Sequence, residues 1–387
     1  MKIAYLGKVQ LSDADLSYLN FGQKLMDITY ILEVNPRFVK GPAYNIKKIY
    51  PHTGIFKAVV AYPELKRLSS LIDVDKFFIV NTCGKFWQIK AFWSNIQLLF
   101  FLLKNHFDLV HLTWPANIYE MVLYFMRKKM ILTVHDPFPH TGLDTWIVRL
   151  RRKIAFKLVP LFIILNKAQK EKFLSFYHLS PSQVIGSSLS CYCYLKYVTP
   201  NMGSVPQGKY ILFVGKISRY KGLDYLLPAM IKIHEKFPDV KLVIAGSGKY
   251  YFDISKYKEL SYIDIRNRFI TDEELVALIK NSLFLVCPYT DATQSGVIMS
   301  SFAFNTPVVA TRVGGLPEML SEDKFGVLVR EKNVDSLVTG ICSLLEDENR
   351  INILRKNISE SYDNKGALSW YSIAMNIRKV YEQIVKN

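Results

Sequence analysis

Short apolar runs alternate with amphipathic segments along most of this chain, and the alternation breaks once, near the middle. In the first half Lys2–Leu6, Ile28–Leu32, Phe77–Val80, Leu109–Leu112, Met130–Val134 and Leu161–Ile164 read as buried strands. Trp87–Asn105, Asn117–Lys128, Thr145–Lys157 and Lys167–Tyr177 read as the helices among them. Strands that alternate with helices pair in parallel through crossover connections, so the pattern predicts an α/β domain. Asn201–Gly208 is rich in Pro, Gly and Asn and reads as a linker. After it the pattern restarts, with strands Tyr210–Gly215, Lys241–Ala245, Tyr262–Ile265, Leu283–Val286 and Pro307–Thr311 and helices Leu223–Phe237, Thr271–Asn281 and Val297–Phe304. Apolar residues three and four apart from Trp370 to Ile384 predict a terminal amphipathic helix. The expected organisation is a first domain over 1–200, a linker over 201–208, a second domain over 209–366 and a terminal helix within 367–387.

The length of 387 residues agrees with two cores rather than one. The excess of 50 Lys and Arg over 33 Asp and Glu, net +17, favours anionic partners. No nucleic-acid motif appears and the cations are dispersed, so nucleic acid is not an expected partner. Arg149–Lys157 interleaves cations with Leu, Ile and Phe. That is either a solvated helix face or a peripheral contact with an anionic membrane surface. Leu98–Leu103 and Leu158–Leu165 are the longest apolar stretches considered, well short of the ~20 residues of a membrane span. Met1–Gly7 is too short for a signal-peptide core and reads as a first strand. Five cysteines without a Cys-x-x-Cys pair predict neither a disulfide framework nor a zinc site. Reduced thiols point to the cytoplasm.

Four segments of the second half combine charge, glycine and helix starts. Gly215-Lys216-Ile217-Ser218-Arg219-Tyr220-Lys221-Gly222 sets three cations at the end of a strand, where open parallel sheets bind ligands. Lysines there neutralise a diphosphate without a metal. Gly246-Ser247-Gly248 follows another strand; its free amides suit a phosphate, although an ordinary tight turn has the same composition. Pro288–Val297 is a polar loop entering a helix, where Ser295 serves as a cap and exposed amides attract an anion. Pro307–Glu318 runs from a buried strand through Gly314-Gly315 to a Pro and an acid suited to a helix start.

In order and spacing these segments resemble the donor-binding domain of the family-4, group 1, retaining glycosyltransferases. The matching pieces are Phe213–Gly222, Leu242–Gly248, Thr271–Leu285 and Thr306–Thr311 with Gly314–Glu318. The resemblance implies the GT-B fold: two Rossmann-like α/β domains facing a cleft, with a C-terminal helix crossing back to the first. It implies transfer of a sugar from a nucleotide-sugar, UDP- or GDP-linked, to a glycan or lipid-linked oligosaccharide in surface polysaccharide synthesis, without a metal or resident cofactor. Lys216 and Lys221 would hold the diphosphate, with Gly215, Gly246, Ser247, Ser295, Gly296 and Val297 around it. Arg268 and Phe269 would meet the base, and Thr293 and Gln294 the sugar. In the first domain Thr133-Val134-His135-Asp136-Pro137 matches a strand end whose histidine sits beside the donor sugar in the family. Asp136 and Trp114 fall on the acceptor side; Ile118, Tyr119 and His140 lie on neighbouring loops. The sequence departs from the family at Ala292 and Ser300, where two glutamates eight positions apart are usual. A degenerate relative that binds donor without transferring it is therefore the second reading. A dinucleotide-dependent dehydrogenase would need Gly-x-Gly-x-x-Gly after a strand, which is absent.

Overall fold

The structure, a computed structural model, describes all residues except 36–42, 45, 47–49, 83–88, 117–119, 139–144, 364 and 387. Contacts divide the chain into two units, Met1–Leu189 with Trp370–Asn387, and Ser190–Ser369. The division falls ahead of Asn201–Gly208. Within that stretch Met202–Ser204 is a 3-10 turn, and the Asn201 amide donates to the Glu273 carbonyl at 2.9 Å inside the second unit.

The first unit is built in chain order from β1 (Lys2–Lys8), α1 (Ser12–Leu25), β2 (Asp27–Val34), β3 (Gly54–Lys57), α2 (Ala58–Ala61), β4 (Phe77–Asn81), α3 (Ile89–Lys104), β5 (Leu109–Leu112), β6 (Met130–Val134), α4 (Trp146–Leu158), β7 (Leu161–Ile164), α5 (Lys170–Tyr177) and β8 (Val184–Gly186). The strands form one sheet in the order β3-β4-β2-β1-β5-β6-β7-β8. Every pairing is parallel except β3 with β4. Strands buried on both faces are predominantly apolar; Met130–Val134 is buried end to end, and its one polar residue, Thr133, is paired with His111. Of the helix expected over Asn117–Lys128, the first three residues lie outside the described ones, and Glu120–Lys129 is 3-10 instead. Its buried residues are Glu120, Leu123, Tyr124 and Met126. The expectation over Trp87–Asn105 is met from Ile89; Trp87 lies outside the described residues.

The second unit contains β9 (Lys209–Val214), α6 (Leu223–Lys236), β10 (Val240–Ala245), α7 (Ser255–Lys258), β11 (Ile263–Arg266), α8 (Asp272–Asn281), β12 (Leu285–Cys287), α9 (Gly296–Phe302), β13 (Val308–Thr311), α10 (Leu316–Met319), β14 (Gly326–Val329), α11 (Val334–Leu345) and α12 (Glu348–Tyr362). Its sheet is parallel in the order β11-β10-β9-β12-β13-β14. That order reverses direction between β9 and β12, the switch point where such sheets open a crevice for ligands. The core beneath α6 gathers Phe213, Leu226, Leu227, Met230, Ile244 and Phe284, all under 2% exposed.

The last helix, α13 (Trp370–Lys386), belongs to the first unit. Trp370 meets the Tyr18 ring of α1 edge-on at 6.1 Å, and the Tyr381 hydroxyl lies 3.4 Å from that of Tyr18. Tyr381 also hydrogen-bonds His111 Nδ1 on β5, and the other ring nitrogen of His111 lies 2.6 Å from Thr133 Oγ1. The helix is thus tied to the first sheet by polar contacts as well as by its apolar stripe.

Candidate functional site

Each of the four segments places its glycines beyond the carboxyl end of a strand, and backbone contacts draw them together. The Gly215 amide donates to the Ala245 carbonyl and the Ile217 amide to the Ser247 carbonyl, so the loops after β9 and β10 run side by side. The Thr290 amide donates to the Tyr220 carbonyl at 2.8 Å, which joins the loop after β9 to that after β12. The Gly315 amide donates to the Ala292 carbonyl, which joins the loop after β13. Two of these crossings tolerate no side chain. A Cβ on Gly246 (φ +151°) would lie 1.8 Å from the Gly215 carbonyl oxygen, and one on Gly314 (φ +51°) 1.5 Å from that of Ala292. Only glycine allows backbone to approach backbone so closely.

Lys221 lies at the centre of this convergence. Its Nζ sits 3.7 Å from the centroid of the Tyr289 ring, whose hydroxyl is 3.3 Å from Ser295 Oγ. Burial lowers the Lys221 ammonium to about 8, against a smaller opposing influence of the Cys287 thiol. Among the described residues no carboxylate pairs with it, and the aromatic face is its partner. A desolvated cation left without an anion is a receptor for one. Lys216 is exposed on the same loop. Ser218 Oγ, two residues on, is a buried hydroxyl with no partner among the described residues.

The other expected donor residues lie along the same sheet edge. Gly215 faces Val297, whose Cγ2 would be 3.4 Å from a Cβ there. Ser295 is buried, and Thr293 and Gln294 are half-buried beside it. Arg268 follows β11, held by a two-pronged pair with Glu274 at 2.6 Å on each prong, and Phe269 is 75% exposed next to it. Asn267 bonds Gly248 in both directions at 3.0 Å, which sets this stretch against the Gly246–Gly248 loop. At the two positions of family carboxylates, Ala292 is buried and the Ser300 hydroxyl donates to the Gly296 carbonyl at 3.0 Å.

In the first unit His135 and Asp136 follow β6 at the carboxyl edge of that sheet. Burial lowers the His135 imidazole to about 4, opposed by Asp136, so it is neutral at physiological pH. His111 is lowered further, to about 3, by burial and then by His135. His135 shares a cavity with Asp15, His111, Thr133 and Trp370. Asp15 Oδ1 accepts from the Tyr5 hydroxyl at 2.9 Å, and burial holds its carboxyl well above the usual range. Trp114 lines a separate cavity with Gly7, Lys8, Glu33 and Glu120. There Lys8 bridges both glutamates; burial would lower its ammonium, but the two carboxylates hold it above the ordinary lysine value. His140, Ile118 and Tyr119 lie outside the described residues.

Sequence reasoning did not pick out Tyr289, Ser218, Glu274 or the Lys8–Glu33–Glu120 cluster. Tyr289 follows Pro288 directly after β12, and a ring at a strand end opposite a lysine was the available signal. The glutamates meet Lys8 from positions 25 and 112 residues away, which no local pattern reveals.

Residues 201–362 match the family described as glycosyl transferases group 1. An uncharacterized glycosyltransferase of Methanocaldococcus jannaschii is 35% identical over 193 residues, 47% of each chain. A D-inositol 3-phosphate glycosyltransferase of Corynebacterium kroppenstedtii is 28% identical over 186 residues, 46% of this chain and 41% of that protein. The chain thus spans about half the length of the curated relatives it matches. Over the whole chain the fold is shared with solved structures. Sucrose-phosphate synthase from Thermosynechococcus elongatus has TM-score 0.69 at 16% identity, covering 100% of this chain and 99% of that one. HepE of Anabaena, solved in complex with UDP-glucose, has TM-score 0.68 at 14% identity, covering 99% and 100%. The chain therefore has the GT-B fold, and its residues 201–362 are similar to the group 1 glycosyl transferases.

Proposed function

We propose that this protein is a retaining, family-4-type glycosyltransferase that takes a hexose from a UDP- or GDP-linked donor to a glycan or lipid-linked oligosaccharide acceptor of surface polysaccharide synthesis. The observation that carries the reading is Lys221, an ammonium desolvated against Tyr289, without a carboxylate partner among the described residues, where four strand-end loops meet. In this reading Lys221 and Lys216 hold the donor diphosphate, with the amides of Ser295, Gly296 and Val297 around it. Arg268 and Phe269 flank the base, and Thr293 and Gln294 take the sugar hydroxyls that a carboxylate takes in the family. The acceptor hydroxyl oxygen bonds to the anomeric carbon as the bond from that carbon to the diphosphate oxygen breaks, and the hydroxyl proton leaves on the diphosphate. Charge grows on the departing diphosphate, so fixed cations there stabilise the transition state more than the ground state. In the same reading His135, which burial keeps neutral, serves the sugar, with Asp136 and Trp114 on the acceptor side. No metal or resident cofactor is assigned a role.

Release of nucleoside diphosphate from sugar-nucleotides in the presence of glycan and lipid-linked acceptors tests this. Lys221→Ala is expected to lower kcat/KM at least about 100-fold, as loss of a charge-stabilising donor does. Turnover unchanged in that variant would remove Lys221 from the mechanism. A second reading, donor binding without transfer, is favoured by Ala292 and Ser300, which put a methyl group and a backbone-bound hydroxyl where the family has carboxylates. Donor affinity with no product on any acceptor would select it.

A further inference from the structure

Tyr289, directly after β12 and Pro288, is 1% exposed, and a phenol so buried needs a partner for its hydroxyl. Ser295 Oγ lies 3.3 Å from that hydroxyl, and the Cys287 thiol meets it as well. The Tyr289 carbonyl accepts from Thr311 Oγ1 at the end of β13. The next amide, of Thr290, donates to the Tyr220 carbonyl in the loop after β9. That loop packs so close that a Cβ on Gly222 would lie 1.8 Å from the Pro288 carbonyl oxygen. Held along its main chain and at its hydroxyl, the Tyr289 ring has a fixed plane.

The loop after β9 brings Lys221 onto that ring. Its Nζ lies 3.7 Å from the Tyr289 centroid and 5.2 Å from that of Tyr220 on its own loop. A lysine free to choose keeps its ammonium in water, because desolvating a charge is costly. The groups that face this one from β12 and the loop after it supply no anion. Burial pushes the Cys287 thiol up to about 11 and the Tyr289 hydroxyl well above its ordinary value, so both are neutral. Among the described residues no carboxylate pairs with Lys221. What offsets the lost water is therefore the negative face of the Tyr289 ring. A carboxylate would also hold the ammonium, but it would occupy the place of an incoming anion. A neutral ring holds it from one side and does not compete.

We infer that Tyr289 is a positioning residue of the diphosphate site: its ring seats the Lys221 ammonium before a ligand arrives and leaves the far side of that ammonium to an oxygen of a nucleoside diphosphate. A lysine stem is long and flexible, and ordering it in advance removes that entropy loss from the binding step. The ring also favours the charged form in surroundings that otherwise favour the neutral amine. The inference rests on the reading of Lys221 as a diphosphate ligand, and adds to it the residue through which Lys221 is held.

Two readouts separate the ring from the ligand. The first is the titration of Lys221 in the ligand-free full chain, followed by NMR of lysine isotopically labelled at Cε, with the signal identified by its loss in Lys221→Arg. Tyr289→Phe should leave the midpoint at about 8, whereas Tyr289→Leu should lower it by about half a pH unit or more. The second is isothermal titration with UDP and GDP at neutral pH. There Tyr289→Leu should weaken binding by about fivefold to thirtyfold, and Tyr289→Phe by less. In the Lys221→Ala background Tyr289→Leu should weaken binding no further, because the two residues act as one unit. Ring-fluorinated forms of Tyr289→Phe preserve the shape of the ring, so they decide the matter even where Tyr289→Leu does not fold; each added fluorine should lower both midpoint and affinity by a further step. A flat fluorine series, an unmoved Lys221 midpoint in Tyr289→Leu, or equal losses of affinity with and without Lys221 would each overturn the inference. Failure of UDP and GDP to bind the unaltered chain would instead remove the diphosphate reading itself, while the Lys221 titration still decides whether the ring seats the ammonium.

Discussion

A lysine in water and Lys221 are different chemical groups. Burial holds Lys221 at about 8, below the ordinary 10.5. Between those values an unfolded chain binds more protons than the folded one, so from this residue the ligand-free protein gains stability as pH rises from about 8. A diphosphate needs the protonated form, so the sign for binding is opposite: affinity for nucleoside diphosphate should fall as pH rises through about 8. Isothermal titration on either side of that pH checks this, and Lys221→Arg, always charged, should flatten the dependence. Gly314 makes a second prediction. With φ at +51° and the Ala292 carbonyl in the space of a Cβ, Gly314→Ala has no relaxed conformation. It should destabilise the second unit by roughly 2–4 kcal/mol in chemical denaturation, combining left-handed strain with a forced backbone shift. The cations and glycines of the candidate site were legible because each lies in a run of a few residues. Tyr289 and Ser218 were not, since only the folded loops decide which ring lies under Lys221 and which hydroxyl turns inward.

At the scale of elements, strands were the clearest. Leu109–Leu112, Met130–Val134 and Leu161–Ile164 are found with the expected ends, because a parallel strand covered on both faces is predominantly apolar, with His111 and Thr133 satisfied by each other. β8 and β14 were passed over: Val184–Gly186 and Gly326–Val329 are edge strands of three and four residues, too short to show a period. The 3-10 segment was read as an α-helix because periods of three and 3.6 scarcely differ over ten residues. α13 was read from its stripe, but its attachment to β5 through Tyr381 and His111 spans 270 residues. Tyr381→Phe leaves a buried ring nitrogen of His111 without this partner and should cost the first unit about 1–3 kcal/mol. Burial already holds His111 neutral to about pH 3, so the vacated nitrogen finds no relief in protonation at ordinary pH. Urea denaturation followed by tryptophan emission measures the difference.

The whole molecule comprises two sheets with separate cores, and its parts should melt as two transitions in calorimetry. Nucleoside diphosphate should raise the transition of the second unit, and the shift should be absent from Lys221→Ala, because a ligand stabilises the state it binds. A single transition that moves as one would show the two cores to be thermodynamically inseparable. The division at Leu189 also carries a consequence for biosynthesis. The first unit is interrupted in sequence: its sheet and its closing helix α13 are separated by all of Ser190–Ser369. On the ribosome the later unit has every strand it needs before Trp370 emerges, whereas the earlier one waits with Tyr18 and His111 uncovered. Maturation should therefore run backwards relative to translation, with protease resistance acquired by the downstream half first and by the upstream half only once α13 has emerged.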